Sequence, residues 1–131
     1  MANPDDFLYE YAVVRYVPRV DREEFVNIGM VMMCKRKKWL KGEIYLNEKR
    51  IMAFDPLVNL ECLARQASLF MRDDVPAPGI PVEERYRWLT AVKSAVLQVS
   101  PSHPGIVPDG EGDAESRMSN EFRRLFHQIV E

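Results

Sequence analysis

Arg15, Glu24 and Asn27 are the residues of this chain whose types could do chemistry together. A carboxylate in an apolar setting serves as a base, a guanidinium holds an anion, and an amide both donates and accepts. Arg15 stands in the apolar run FLYEYAVVRYVP, residues 7–18. Asn27 stands in EEFVNIGMVMM, residues 23–33, two positions before Gly29. A guanidinium among Val and Tyr wants a carboxylate, and Glu23 or Glu24 is the nearest. Asn27 is costly to bury unless its amide is satisfied. The same residues have a structural reading: a buried ion pair and a satisfied amide that fix strand register, since such networks also arise without catalysis. Gly29, inside a strand-like run, marks a bulge or a close approach by another group, with Tyr9, Tyr11 or Trp39 as candidates.

A second constellation is the basic run Lys35, Arg36, Lys37 and Lys38, with Lys41 and the interleaved Trp39. Cations with an aromatic among them can hold phosphates and stack a base. A charged hairpin tip that discourages edge pairing has the same composition. Asp21, Glu23 and Glu24 make a short acidic loop that reads as solvated rather than as a metal site. His103 and His127 stand far apart in sequence, in no triad order and no HExxH pattern, and neither GxGxxG nor a P-loop occurs. Cys34 and Cys62 have no Cys or His neighbour at zinc spacing and read as two small buried hydrophobes. No cofactor, metal or catalytic set is assigned, and the reading leans away from an enzyme.

These side chains need elements to hold them. Residues 7–18 read as a strand with both faces largely apolar, hence central or well covered. Residues 25–34 form a second strand, 35–38 a turn and 39–46 a third strand, too close to the second for a crossover helix and therefore an antiparallel hairpin. Strict alternation in the second strand puts Val26, Ile28, Met30, Met32 and Cys34 on a wholly apolar face towards the helices. Phe25, Asn27, Gly29, Val31 and Met33 fall on the other. The methionines read as core filling, Met33 being the one that shares a face with Asn27.

Asp55-Pro56 looks like a helix start. Leu57, Leu60, Leu63, Ala64, Ala67, Phe70 and Met71 follow at helical spacing. Residues 72–81 are a Pro-rich loop. A second helix spans Val82 to Leu97 with Tyr86, Leu89, Val92 or Lys93, and Val96 inward, flanked by Trp88 and Ala95. A short edge strand is expected near Gly105–Val107. A last helix, Ala114 to Val130, puts Met118, Phe122, Leu125, Phe126 and Ile129 on one face. Strands first and helices after make the class α+β, not alternating α/β: a small antiparallel sheet packed against about three helices.

The 131 residues fit one domain, 1–131, able to bury a core without a disulfide or metal staple. With 18 Lys and Arg against 20 Asp and Glu, the net charge of −2 gives no global reason to expect nucleic acid or an anionic membrane. No run approaches the length of a membrane span and the N-terminus has no signal-peptide pattern, so the expectation is a cytoplasmic protein.

Tyr11-Ala12-Val13, Arg15-Tyr16 and Pro18, followed by Glu24-Phe25-Val26-Asn27-Ile28-Gly29, resemble the signature of a family of short bacterial proteins known only as a domain of unknown function. Gln98-Val99-Ser100-Pro101 and Glu121-Phe122-Arg123-Arg124-Leu125-Phe126 resemble its later segments in the same order. Ser102-His103 departs from it, since similar members often carry a basic residue there. The resemblance carries no activity. Members similar to this chain are often encoded beside kinase-like proteins, which implies a protein partner. Three readings stand: a protein-binding accessory module, a small-ligand binder or enzyme using Arg15, Glu24 and Asn27, and a nucleic-acid accessory protein using the 35–41 hairpin.

Overall fold

In the computed structural model, residues 7–70, 72, 78–91 and 96–131 are described. Strand β1 (Leu8–Tyr16) is central. On one side it pairs antiparallel with β2 (Val26–Cys34), which pairs in turn with β3 (Trp39–Ile44). On its other side two short strands lie end to end: β4 (Leu97–Val99) against Val14–Tyr16, and β5 (His103–Ile106) against Leu8–Tyr11. Helices α1 (Glu48–Phe54), α2 (Leu60–Phe70), α3 (Val82–Thr90) and α4 (Ala114–Ile129) complete an α+β fold.

Pro101 interrupts the β4–β5 edge, and a side chain repairs the break. Ser100 is buried. Its N–H donates to the Val13 carbonyl at 2.9 Å, and its hydroxyl accepts the Val13 N–H at 2.8 Å. The central strand thus keeps its buried donor satisfied where the ladder would otherwise lapse.

Both faces of the sheet carry core, as the apolar faces of β1 predict. On one, Phe7, Tyr9, Met30, Met32 and Cys34 meet Met118, Phe122, Leu125 and Phe126 of α4. Phe122 and Phe126 are fully buried and stacked at 5.6 Å, each contributing about 1.5–3 kcal/mol by burial. On the other, Val14, Tyr16, Ile28, Val31 and Met33 meet Ile51, Leu63, Phe70, Tyr86 and Leu89. The methionines of β2 are core filling, Met33 included.

Strict alternation fails in β2. Val14 pairs with Gly29 and Arg15 with Asn27, so Ile28 is the extra residue of a bulge. The bulge resets the phase. Met30, Met32 and Cys34 face α4 on the same side as Asn27, while Val26, Ile28, Val31 and Met33 face the other helices. Gly29 therefore marks both of the things a strand glycine can mark. It lies at the bulge, and β3 approaches it closely: a Cβ there would stand 2.5 Å from Ile44 Cδ1 and 2.6 Å from the Glu43 carbonyl oxygen. The close neighbour is thus β3, not Tyr9, Tyr11 or Trp39. Tyr9 instead lies over Gly105 of β5.

Three helix expectations are corrected. Helix α1 lies between the third strand and Asp55, where no element was expected, and it starts on Asn47, whose side chain accepts the Arg50 N–H. Asp55 ends α1 rather than starting the next helix. Preceding a proline, it is held extended (φ −136°, ψ 91°), and its carboxylate accepts the Leu57 N–H in a local turn. Helix α2 begins later, with Asn59 accepting the Cys62 N–H. Leu57, left outside the helix, is 92% exposed. Helix α3 closes at Thr90 because Ala91 turns extended, and Leu97 belongs to β4. Met71, Val92, Lys93 and Ala95, expected on helical stripes, lie outside the described residues. So do residues 1–6 and 73–77. The final helix and the edge strand near Gly105 form as expected.

Candidate functional site

The β1–β2 ladder makes Arg15 and Asn27 cross-strand neighbours at the bulge. The register brings these two together and leaves Glu24 out. Glu24 precedes β2, just after Glu23, which takes a left-handed conformation (φ 55°) at the end of a 3₁₀ turn over Val20–Arg22. That turn aims Glu24 outward, where it pairs with Arg22 with both side chains more than half exposed. The expected Arg15–Glu24 ion pair is therefore replaced. The Arg15 guanidinium lies 4.0 Å from the centroid of the Phe25 ring, a cation–π contact. Its Nε has no hydrogen-bond partner, and neither has the buried Oδ1 of Asn27.

Asn27 has a definite partner elsewhere. Its Nδ2 donates to the Ile129 carbonyl at 3.2 Å, and Arg50 Nη1 donates to the Val130 carbonyl at 2.7 Å. These are end-of-helix carbonyls with no partner inside α4. Asn27 and Arg50 thus tie the C-terminus of α4 to β2 and α1, and the Arg50 charge suits the negative end of the helix. The conspicuous asparagine is a helix anchor.

Glu24 lines a cleft of ≈ 300 Å³ with Pro18, Arg19, Arg22, Phe54 and Asp55. Asp55 accepts the Tyr16 hydroxyl at 2.7 Å. Burial, then the Asp55 carboxylate, push the Tyr16 hydroxyl well above the usual tyrosine range. Arg19 is held by Asp21 and Arg22 by Glu24.

Little in the sequence signals the most buried carboxylate among the described residues. Glu121 on α4 is 4% exposed. Arg124 grips it bidentately at 2.8 and 2.9 Å, and the Tyr9 hydroxyl donates to it at 2.5 Å. Burial pushes the Glu121 carboxyl up, but the hydrogen bonds from Arg124 and Tyr9 outweigh burial and hold it below the usual range. Burial and the same bond drive the Tyr9 hydroxyl far up. Glu121 and Arg124 border a cleft of ≈ 290 Å³ together with Arg117, Asn120 and the loop at Asp109. Both carboxylate oxygens are engaged, so the trio holds α4 to β1. Glu121 sits on the same helical side as Phe122 and Leu125, and only its place inside an otherwise apolar stripe signals it.

A third polar chain joins helix and sheet. The buried Tyr86 hydroxyl meets Ser102 Oγ at 2.7 Å, and Ser102 Oγ donates to Glu10 at 3.3 Å. Burial pushes the Tyr86 hydroxyl up to about 12. Ser102 is thereby built into the fold, and His103 beside it lies against the Tyr11 ring at 5.2 Å.

The basic run divides. Lys35 to Lys38 form the exposed β2–β3 turn, with Lys38 left-handed (φ 51°). Trp39 turns inward, half-buried and edge-on to Phe122 at 6.5 Å. Lys37 lies 5.1 Å from the Phe7 ring and Lys41 5.0 Å from the Phe122 ring, so these cations also cover the aromatic core beneath α4. Cys34 is buried, but Cys62 is exposed on α2 rather than buried. Among the described residues no group of three or more His, Cys, Asp or Glu comes together, and no helix is long and apolar enough to cross a membrane.

The geometry brings Arg15 to Asn27, separates both from Glu24, and gives Gly29 a packing role. No curated protein matches the chain, and no solved structure does. The profile of a family described as protein of unknown function (DUF3037) matches residues 11–130, nearly the whole length from β1 to the end of α4. The chain belongs to the DUF3037 family of proteins of unknown function.

Proposed function

We propose that this chain is a protein-binding accessory module, with the kinase-like proteins implied by the family resemblance as the first partners to try. The observation that carries the reading is an apolar pair on the outer half of the sheet. Leu8 and Ile106 face each other across the β1–β5 ladder and are 44% and 56% exposed, with the exposed Pro104 one alternation away. Two large aliphatic side chains held side by side on rigid strands are the kind of anchor a partner surface covers. The polar residues favour catalysis less. Asn27, Glu121 and Ser102 are each occupied in holding elements together.

The test is a tagged pull-down from the native host, with and without nuclease and at two salt concentrations. It is run beside a Leu8→Asp, Ile106→Asp double variant. A stoichiometric protein that survives nuclease and is lost with the variant supports the reading. Capture unaffected by the variant, with its melting unchanged, refutes it. Material released by nuclease or moderate salt turns attention to Lys35–Lys38 and Lys41.

A second reading rests on the cleft at Glu24. Its mixture of Glu24, Asp55, Arg19 and Arg22 suits a small polar ligand, and a ligand screen by thermal shift with Glu24→Gln as control tests it.

A further inference from the structure

Strand β3 closes one side of the sheet, and among the described residues nothing pairs with its outer edge. The phase of that edge can be read from the ladder. Tyr45 donates its N–H to the Ile28 carbonyl at 2.7 Å, and Glu43, Lys41 and Trp39 follow in the same phase opposite Met30, Met32 and Cys34. These odd residues spend their backbone groups on β2. Leu40, Gly42 and Ile44 therefore aim their N–H and C=O groups outward. Side chains alternate with the same period. Leu40 and Ile44 lie on the side of α2. Lys41 and Glu43 lie on the side of α4, where Glu43 binds Arg123 at 2.8 and 3.1 Å.

The segment Trp39-Leu40-Lys41-Gly42-Glu43-Ile44-Tyr45 is complementary to itself when reversed about Gly42. Lys41 is the mirror position of Glu43, Leu40 of Ile44, and Trp39 of Tyr45. We propose that two copies of this chain join edge to edge through β3, antiparallel about a two-fold axis at Gly42, into one continuous sheet. In that register every outward N–H and C=O of Leu40, Gly42 and Ile44 meets a counterpart. Each Lys41 faces the Glu43 of the other copy, and each Leu40 faces an Ile44.

The alternatives are penalised by the same residues. A slip by two in one direction sets Lys41 against Lys41, and in the other sets Glu43 against Glu43. A slip by one puts outward backbone groups opposite inward ones. Lysine on an edge strand ordinarily repels strangers. Here a glutamate in the mirror position turns that guard into a self-recognition code. There is room beside the edge as well. A groove of ≈ 370 Å³ runs between β3 and α2, and the helix presents Ala64, Ala67 and Ser68 to it. The contact is isologous and closes on itself, so it makes a dimer and not a fibre.

Sedimentation or light scattering over micromolar to millimolar concentrations tests the proposal. The expected result is a rise to twice the 15.2 kDa of one chain. Lys41→Glu and Glu43→Lys are each expected to lose the dimer, because like charges then face across the axis. Mixed, the two variants are expected to regain it as a heterodimer, since every facing pair becomes opposite in sign. A wild-type chain that stays monomeric throughout overturns the proposal, as does a dimer that both variants leave intact. So does a mixture that stays monomeric while both variants keep their native circular dichroism. Should Glu43→Lys unfold for want of its Arg123 contact, Gly42→Pro replaces it. That change removes an outward N–H and sets the proline ring towards the second copy, so a native-fold dimer of Gly42→Pro is equally fatal.

Discussion

Replacing Gly29 with alanine adds one methyl group at the tightest point between β2 and β3. The methyl carbon would stand 2.5 Å from Ile44 Cδ1 and 2.6 Å from the Glu43 carbonyl oxygen, both far inside van der Waals contact. The first neighbour is the tip of a side chain and can turn away. The second is backbone, held by the ladder that pairs Met30 with Glu43. Strand β3 must therefore move, which puts the cost in the overpacking range of about 1–3 kcal/mol. At about 2 kcal/mol the fall in Tm is on the order of 8 °C for a domain of this size. The assay is urea unfolding, in which the midpoint should fall with the slope unchanged. Ile44→Val dissects the two contacts, since it deletes Cδ1 and leaves the carbonyl. Alone it should cost about 0.5–1.5 kcal/mol, and in the Gly29→Ala background distinctly less. A Gly29→Ala protein as stable as the parent refutes the close approach. Additive losses refute the role of Ile44 Cδ1.

Further outcomes follow from the polar contacts. Glu24→Gln should be nearly silent, within about 1 kcal/mol, because its ion pair with Arg22 lies in water, whereas Asn27→Ala should free a carbonyl of α4 and cost about 1–3 kcal/mol in the same urea assay. Ser100→Ala should cost a similar amount, about 1–3 kcal/mol, by leaving the Val13 N–H unpaired in the interior. The folded Glu121 carboxyl lies below its unfolded value, so its contribution is present at neutral pH and fades as pH falls below about 4. Glu121→Gln should flatten that acid limb of stability. Tyr9, Tyr16 and Tyr86 are shifted the other way, so their contribution is complete below about pH 10 and is lost as pH rises beyond it. Three such groups give a limb that steepens above pH 10 towards a ceiling of about 4 kcal/mol per pH unit near pH 11. Tyr16→Phe should reduce its steepness by about a third, and an unchanged limb would show that Tyr16 ionises freely in the fold.

Elements whose signal is local were legible in the sequence. The apolar alternation of β1, the short β2–β3 turn and the stripe of α4 each fix themselves within a dozen residues. Features set by distant partners were not. A period-two reading of EEFVNIGMVMM has no term for an extra residue, and the glycine named the anomaly without locating it at Ile28. Asp55-Pro56 carries helix-start chemistry, but the same aspartate ends α1, because a pre-proline residue is held extended. The Arg15–Glu24 pairing was inferred from nearness in sequence. The left-handed turn at Glu23 then carried the carboxylate away. Glu121 carries no local signal, because a lone glutamate in an amphipathic helix ordinarily faces solvent. Its partner Tyr9 is 112 residues away in the chain.

That separation bears on how the protein is made. The strand at the centre of the sheet leaves the ribosome before the other described strands, and two of its contacts arrive late. β2 and β3 follow β1 at once and can build a local meander. The opposite edge of β1 has no counterpart until residues 97–106 emerge, and Tyr9 has none until Glu121 does. At about 5–20 residues per second, the nascent chain carries an open strand edge and a bare aromatic face for several seconds. The sheet is thus begun by the meander of β1, β2 and β3, and its central strand is completed only when residues 97–106 arrive.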